Sequence, residues 1–181
     1  MDLDPHLITT LVERWRPETH TFHLSCGEAT VTLQDVAIIW GLPVRGRPVI
    51  GIDFGRSKED SIRRHFQGII ITDDTDQMIV DQYVRGVVLT LLAGIVMPDS
   101  TSDSASLLHL RLLEDFDRAR KYSWASASLA TLYRKLCTAS IADKCVIGGP
   151  CLLLQIWACS DYHGSSSQIA LLGSTRSSIC R

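Results

Sequence analysis

Residues 20–33 read His-Thr-Phe-His-Leu-Ser-Cys-Gly-Glu-Ala-Thr-Val-Thr-Leu, and this alternating stretch decides the fold. With Cys26-Gly27 as a two-residue turn, Phe22 is opposite Val31 and Leu24 is opposite Ala29. One face of the predicted hairpin then carries His20, Phe22, Leu24, Ala29, Val31 and Leu33. A two-stranded ribbon is too small to be stable alone, so this face is predicted to pack against helices.

Helical patterns surround the hairpin on both sides. Leu7, Leu11 and Trp15 repeat every four residues before Pro17, and Thr32 with Asp35 forms an N-cap pair for a helix that ends at Trp40. Further helices are predicted over residues 77–97, 107–116, 123–136 and 152–158. The fold class is therefore mainly α, a helical domain with one N-terminal β-hairpin over residues 20–33. The predicted core consists of Phe22, Val31, Leu33, Trp40, Val87, Leu91, Leu112, Trp124, Leu132 and Trp157.

The composition is that of one globular domain without a strong net charge. The 181 residues are 45% hydrophobic, and 18 basic against 20 acidic side chains give 18 − 20 = −2. This balance provides no long-range field for non-specific binding of nucleic acid. The longest uncharged apolar stretch, residues 86–97, is too short to cross a bilayer, so no membrane partner is expected. The sequence starts without a secretion signal, and the six cysteines are expected to be reduced thiols.

Two motifs combine metal-ligating residue types. His20-x-x-His23-x-x-Cys26 needs three convergent side chains, but the hairpin sends His20 and His23 to opposite faces. Asp161-x-His163-Gly164 matches a fragment of a phosphoesterase motif, and a chain without Asn lacks the further ligands of a two-metal site. No nucleophile elbow, Walker loop or dinucleotide fingerprint occurs. The sequence therefore predicts no catalytic, cofactor-binding or metal-binding residue, no cofactor and no enzyme.

Residues 45–64 are locally basic and rich in Gly and Pro, a composition that is typical of an exposed loop. Six cations stand against Asp53, Glu59 and Asp60, a local excess of 6 − 3 = +3. Cations on such a loop contact the phosphates of a nucleic acid. The candidate nucleic-acid contacts are Arg45, Arg47, Arg56, Lys58, Arg63 and Arg64.

Two blocks of sequence resemble a known family. The first contains Trp15-Arg16-Pro17-Glu18-Thr19-His20, then Cys26-Gly27-Glu28, Thr30-Val31-Thr32-Leu33-Gln34-Asp35 and Gly41-Leu42-Pro43-Val44-x-Gly46. The second contains Tyr122-Ser123-Trp124-x-Ser126-Ala127, Leu132-Tyr133-Arg134-x-Leu136-Cys137, Gly148-Gly149 and Leu152-Leu153-Leu154-Gln155-x-Trp157-Ala158. The chain resembles the plant mobile domain, the transposon-related module of the MAINTENANCE OF MERISTEMS-like and serine/threonine-protein phosphatase 7 long form homolog family.

The resemblance implies a nuclear plant protein linked to transposable-element silencing, genome integrity and meristem maintenance. It implies nuclear protein partners, a phosphatase-7-type protein among them. The family is also labelled aminotransferase-like, but Lys58, Lys121, Lys135 and Lys144 lie in no cofactor-lysine context. The favoured hypothesis is a non-catalytic nuclear interaction module. The alternatives are a nucleic-acid-binding domain that uses the Arg45–Arg64 loop and a phosphatase-associated hydrolase.

The resemblance covers residues 5–158 and weakens after Trp157-Ala158. There Cys159-Ser160-Asp161-Tyr162 stands where relatives continue with Trp-Glu-Arg. Residues 5–158 are therefore expected to form an incomplete plant mobile domain. Residues 159–181 are expected to be a divergent, Ser-rich and disordered tail.

Overall fold

A computed structural model of the chain describes residues 3–25, 27–50, 77–98, 107–141 and 149–162. The helices are α1 (Pro5–Glu13), α2 (Leu33–Trp40), α3 (Gln77–Leu91), α4 (Phe116–Ala119), α5 (Trp124–Ile141) and α6 (Cys151–Tyr162). A π-helical turn, Leu92–Val96, extends α3, and a 3-10 helix covers Leu107–Leu113. The strands are β1 (Trp15–Arg16), β2 (Thr21–Leu24) and β3 (Gly27–Ala29). The predicted fold class, mainly α with β-structure near the N-terminus, is confirmed.

The antiparallel sheet, in the order β1-β2-β3, has one strand more than the predicted hairpin. Trp15 was expected to end the first helix, but α1 ends at Glu13 and Trp15 pairs with Phe22. The backbone N–H of His23 donates to the carbonyl of Arg14 at 2.9 Å. The chain therefore turns back onto β2 directly after α1, and Trp15 enters the core from a strand.

The register of β2 and β3 differs from the prediction by two residues. Phe22 lies opposite Ala29 and Leu24 lies opposite Gly27. Gly27 has a φ of +129°, which favours glycine, and the connection falls at residues 25 and 26 rather than 26 and 27. Because side chains alternate along a strand, a shift of two leaves the inner face unchanged. Phe22, Leu24 and Val31 are accordingly buried, as predicted.

The passage from the sheet into α2 follows the predicted capping pattern. The backbone N–H of Asp35 donates to the Thr32 hydroxyl at 3.3 Å, and the Asp35 carboxylate accepts from the backbone N–H of Thr32 at 2.7 Å. This reciprocal capping box satisfies two backbone N–H groups at the start of the helix. Gly41, with a φ of +64°, ends α2 in the left-handed conformation.

Two hydrophobic clusters form the core of the described residues. The first lies between the sheet, α1, α2, α5 and α6, and its buried residues include Leu11, Trp15, Phe22, Val31, Leu132, Leu136, Leu153 and Trp157. The second lies between α3, the 3-10 helix, α4 and the start of α5, and includes Leu89, Leu92, Val96, Leu110, Leu113 and Trp124. The buried Ser128 hydroxyl on α5 donates to the carbonyl of Val96 at 2.9 Å. α5 therefore connects the two clusters.

Eight of the ten predicted core residues are buried or partly buried. Phe22, Val31, Trp124, Leu132 and Trp157 are buried, and Leu33, Trp40 and Leu112 are partly buried. The prediction is wrong for Val87 and Leu91, which are 42% and 50% exposed on the outer face of α3. The inner face instead carries Leu89.

The orientation of α3 is set by a contact that local periodicity does not contain. The Arg85 guanidinium donates to the carbonyls of Leu113 and Glu114 at 2.8 and 3.2 Å, and it lies over the Phe116 ring at 5.5 Å. These bonds satisfy carbonyl groups at the end of the 3-10 helix. Arg85 and the buried Leu89 therefore lie on the same side of α3, the side that faces the 3-10 helix.

The last helix is longer than predicted. α6 continues through Tyr162, so the disorder expected from residue 159 is wrong for residues 159–162. The buried side chains of Trp157 and Ala158 hold this part of the helix against the first cluster, and neither Gly nor Pro interrupts it. The rest of the predicted tail, residues 163–181, lies outside the described residues.

Candidate interaction surfaces

The start of the predicted basic loop is attached to the segment between α4 and α5. The backbone N–H of Arg47 donates to the carbonyl of Lys121 at 2.8 Å, and the N–H of Ser123 donates to the carbonyl of Arg47 at 2.9 Å. Arg47 and Tyr122 thereby form a parallel bridge. The Ser123 hydroxyl adds a bond to the carbonyl of Val44 at 2.6 Å. Two backbone bonds, between residues 121 − 47 = 74 and 123 − 47 = 76 positions apart, and one side-chain bond therefore join these distant segments.

Glycine at position 46 permits this close approach. Gly46 has a φ of +143°, and a Cβ atom there would meet the carbonyl oxygen of Lys121 and lie 2.9 Å from the carbonyl carbon of Tyr122. Both neighbours are backbone atoms that cannot rotate away. The bridge consequently requires a residue without a side chain at this position.

The bridge brings together cations that lie far apart in the sequence. Arg45 and Arg47 are exposed on one side, and Arg118, Arg120 and Lys121 are exposed on the other. We call these five side chains the basic rim. Three acids, Glu114, Asp115 and Asp117, lie in the same segment as the last three cations. The net charge of these eight side chains is 5 − 3 = +2. Asp117 forms an exposed ion pair with Arg120 at 3.4 Å, and Asp115 caps the start of α4.

Only part of the predicted nucleic-acid contact set falls within the described residues. Arg45 and Arg47 belong to the basic rim, whereas Arg56, Lys58, Arg63 and Arg64 lie outside the ranges that the structure describes. The prediction omitted Arg118, Arg120 and Lys121. In sequence these three directly follow Glu114, Asp115 and Asp117 and lie far from residues 45–64, and the backbone bridge identifies them as neighbours of the loop.

The two hairpin histidines occupy different environments. His20, with a φ of +54°, stacks on the Tyr133 ring at 5.3 Å with an angle of 10° between the planes. His23 projects from β2 into solvent. Both histidines are exposed, and His20 contacts Tyr133 at the edge of the first cluster. Cys26 and His163, the other residues of the two metal-type motifs, lie outside the described residues, which contain no group of three potential metal ligands.

Three cysteines within the described ranges form no disulfide bond and lie in structural positions. Cys137 accepts a hydrogen bond from the indole N–H of Trp15, with 3.3 Å between nitrogen and sulfur. Burial raises the pKa of the Cys151 thiol above its ordinary value of 9.0. A thiol with a raised pKa forms little thiolate at neutral pH and is a weak nucleophile. Cys159 lies on α6 and is partly buried.

An apolar face of α3 points away from the second cluster. Tyr83, Val84, Val87 and Leu91 are 48%, 40%, 42% and 50% exposed, and Val80 is partly buried. We call Val80, Val84, Val87 and Leu91 the outer seam. Contiguous exposed apolar surface on a domain marks sites that bind another protein or a membrane.

Comparison with known proteins places the chain in a family. The family model described as plant mobile domain matches residues 1–170. The chain belongs to the plant mobile domain family. This confirms the resemblance drawn from residues 15–46 and 122–158. No solved structure matches the chain.

Three relatives of this plant mobile domain come from Arabidopsis thaliana. The chain is 42% identical to Serine/threonine-protein phosphatase 7 long form homolog, over 90% of this chain and 14% of that protein. It is 36% identical to Protein MAIN-LIKE 2, over 90% of this chain and 27% of the relative. It is 31% identical to Protein MAINTENANCE OF MERISTEMS, over 87% of this chain and 37% of the relative. The chain therefore spans less than two fifths of each of these relatives.

Among the described residues of this plant mobile domain, one helix is long and apolar enough to cross a membrane by length and composition. It is the 20-residue unit Gln77–Val96, formed by α3 and the π-helical turn, with a mean hydropathy of 1.6 and 17% of the apolar window buried. This unit is longer than the uncharged stretch of residues 86–97 because it also includes Asp81 and Arg85. The expectation of no membrane partner stays a prediction.

Proposed function

We propose that the chain is a non-catalytic interaction module that acts in the nucleus through protein partners. The processes proposed for it are transposable-element silencing, genome integrity and meristem maintenance, and a phosphatase-7-type protein is its proposed partner. Membership of the plant mobile domain family and the names of the relatives support this assignment.

The outer seam is the observation that carries the proposal. Val84, Val87 and Leu91 are 40–50% exposed on a helix whose opposite face is packed in the core. Exposed aliphatic side chains of this kind gain free energy when a partner removes them from water, at about 25 cal/mol per Å² of apolar area. The described residues thus offer a surface suited to a protein partner.

The reactive residue types within the described ranges have structural contacts that support a non-catalytic role. His20 stacks on Tyr133, Cys137 accepts from Trp15, and burial raises the pKa of Cys151. Each of these groups lies in the first cluster or at its edge, so we assign it to packing.

Affinity purification from plant nuclei tests the proposal. The tagged chain is compared with Val87→Glu, which places a charge in the outer seam, and with the matched control Ile38→Glu. Ile38 is 73% exposed on α2, away from the seam. We expect the wild type and the control to retain a phosphatase-7-type protein, identified by mass spectrometry, and the seam variant to lose it. Equal retention by all three chains, or exclusion of a fluorescent fusion from nuclei, would contradict the proposal.

The basic rim supports a second candidate function, direct binding of nucleic acid. Arg45 and Arg47 lie beside Lys121 through the backbone bridge, so three cations can meet successive phosphates. The fluorescence anisotropy of labelled DNA, titrated at two salt concentrations, measures the number of phosphate contacts. The double change Arg45→Ala and Arg47→Ala should reduce the salt slope by about 2. Arg134→Ala, at an exposed position on α5, is the control and should leave the slope unchanged.

A further inference from the structure

The segment that leads into α5 carries a regular pattern of charge before a serine. Two arginines and a lysine precede Ser123 by five, three and two residues, and a large apolar side chain follows it. They are Arg118, Arg120, Lys121 and Trp124. Basic side chains at these distances from a serine are the pattern that a basophilic protein kinase selects, because carboxylates line its substrate groove. The segment therefore has the charge pattern of a kinase substrate, with Ser123 as the acceptor.

The cations of this pattern are accessible to another protein. Arg118, Arg120 and Lys121 are all exposed. Arg120 pairs with Asp117 at 3.4 Å, but the two side chains are 81% and 84% exposed. An exposed ion pair of this kind adds little stability. Arg120 can therefore exchange Asp117 for a carboxylate of a kinase at little cost.

A second acceptor in the sequence has the same arginine spacing. Arg14 and Arg16 stand five and three residues before Thr19. Glu18 lies directly before this threonine, where a groove lined with carboxylates repels it, and position 17 is a proline instead of a further cation. Ser123 is therefore the better substrate, and Thr19 is the competing acceptor that an experiment has to separate from it.

The Ser123 hydroxyl forms part of the attachment of the basic loop. It donates to the Val44 carbonyl at 2.6 Å and lies 2.6 Å from the Ser126 hydroxyl, in a residue that is 6% exposed. The backbone N–H of Ser123 donates to the Arg47 carbonyl at 2.9 Å. A kinase consequently reaches the hydroxyl only when residues 44–47 move away from the start of α5. Local opening of this kind is a normal fluctuation of a surface segment.

We propose that Ser123 is phosphorylated by a basophilic serine/threonine kinase and that the phosphate holds the start of the basic loop away from α5. A phosphate carries close to two negative charges at neutral pH, and its oxygens accept hydrogen bonds. It cannot donate to the Val44 carbonyl as the hydroxyl does, and a charge in that buried position is costly. The modified chain therefore stays open. The net charge of the basic rim and its three acids changes from +2 to about +2 − 2 = 0.

The modification is a phosphoryl transfer from ATP. The Ser123 oxygen attacks the γ-phosphorus of magnesium-bound ATP and forms a new oxygen–phosphorus bond. The bond from that phosphorus to the β,γ-bridging oxygen breaks, and ADP leaves. The hydroxyl proton passes to the catalytic aspartate of the kinase. The kinase supplies the nucleotide, the metal and the base, so this chain contributes the acceptor oxygen and the cations that position it.

Phosphorylation of the full 181-residue chain in vitro tests the proposal. The probe is magnesium-ATP with the catalytic subunit of a cyclic-AMP-dependent protein kinase, which selects cations two and three residues before its acceptor. Peptide mass spectrometry should place one phosphate on Ser123, and Ser123→Ala should remove it. Arg120→Ala should lower the rate about tenfold because a charge-assisted pair with the kinase is lost, and Arg134→Ala should leave the rate unchanged. A phosphate on Thr19 or Ser126 instead of Ser123, or none in any chain, overturns the proposal.

Gly46→Ala tests whether the bridge controls access to the hydroxyl. An added Cβ at position 46 detaches the loop from Lys121, so the open form is more populated and the phosphorylation rate should rise about tenfold. Tyr133→Phe is the control, because it weakens the first cluster and leaves the bridge intact. Its rate should equal that of the wild type. Equal rates in the wild type and Gly46→Ala, or a rise in Tyr133→Phe as large as that in Gly46→Ala, overturn the proposal.

Hydrogen exchange measures whether the phosphate keeps the bridge open. The backbone N–H of Arg47 donates to the Lys121 carbonyl at 2.8 Å, and that of Ala125 donates to the Pro43 carbonyl at 3.2 Å. Both amides should exchange faster in the phosphorylated chain, whereas the amide of His23 in the sheet should not change. Unchanged exchange at Arg47 overturns the proposal. Neither phosphate incorporation nor amide exchange involves DNA or a protein partner, so the inference holds or fails independently of the proposed function.

Discussion

Replacing Gly46 by alanine would test the attachment of the basic loop without changing any charge. The added Cβ would meet the carbonyl oxygen of Lys121 and would lie 3.0 Å from its carbonyl carbon. Since both are backbone atoms, the loop has to move away. Movement breaks the bonds from Arg47 to Lys121 and from Ser123 to Arg47, at 2.8 and 2.9 Å. The variant therefore keeps all the cations of the basic rim and separates its two halves.

The cost of this change has two parts. A residue with a side chain at a φ of +143° bears about 1–3 kcal/mol of backbone strain. Two backbone hydrogen bonds contribute about 0.5–1.5 kcal/mol each. The loop relieves strain when it detaches, so the two parts do not add fully, and we expect a loss of about 2–4 kcal/mol in the free energy of unfolding. At a urea m value of about 2 kcal/mol per M, the midpoint falls by about 1–2 M.

Gly94→Ala is the matched control for this measurement. Gly94 lies in the π-helical turn with no atom within 4 Å of an added Cβ. Alanine at such a position removes freedom from the unfolded chain and should raise the free energy of unfolding by about 0.4–1 kcal/mol. Urea unfolding followed by circular dichroism measures both variants. A Gly46→Ala midpoint within experimental error of the wild type would refute the docked loop, and with it the assembly of the basic rim.

Three further changes address the two clusters. Tyr133→Phe removes a hydroxyl that donates to the Val31 carbonyl at 2.7 Å, and urea unfolding should register a loss of about 1 kcal/mol. Ser128→Ala leaves the Val96 carbonyl without its buried donor, and hydrogen exchange should become faster in the π-helical turn without a change in α1. Burial raises the pKa of Cys151 above 9.0, so the folded state retains a proton that the unfolded state releases. The free energy of unfolding should therefore fall as the pH rises through 9.0, by less in Cys151→Ala, and urea midpoints from about pH 7 to pH 10 measure the difference.

The local parts of the fold could be predicted because their causes are local. Thr32 and Asp35 cap α2 through bonds that close within four residues, and Gly41 ends that helix by its own conformation. The inner face of the hairpin was predicted correctly although the register was not. The alternation of apolar and polar side chains determines which face of the hairpin is buried. The pairing register of β2 and β3 depends on the conformation of the turn, including the φ of Gly27, which the sequence alone does not determine.

The errors concern elements whose orientation depends on distant residues. Trp15 leaves the helix pattern because β2 offers it a strand partner, Phe22. Val87 and Leu91 were assigned to the core because α3 is apolar on both faces, and the contact of Arg85 with Leu113 and the burial of Leu89 show that the opposite face is turned inward. A periodic pattern indicates that a helix has an apolar face, but it does not indicate which partner covers that face.

The sequence predicted only part of each candidate surface, because both surfaces depend on contacts between residues that are distant in sequence. Arg45 and Arg47 could be identified from the charge of their own segment. Lys121 belongs with them only because the backbone of Arg47 pairs with Tyr122 across a large separation in sequence. In the outer seam, Val87 and Leu91 were recognised as apolar but were wrongly assigned to the core.

Both candidate surfaces depend on the second cluster, and this determines which variants can test them. Tyr122, which pairs with Arg47, packs on that cluster, and α3 contributes Leu89 to it. The second cluster is joined to the first through α5, where Ser128 bonds to Val96 and Leu132 lies in the first core. A core change such as Phe22→Ala, at a cost of about 3–5 kcal/mol, would weaken both surfaces at once and could not separate them. Val87→Glu and Gly46→Ala act on one surface each, so a partner lost in only one of them identifies the surface that binds it.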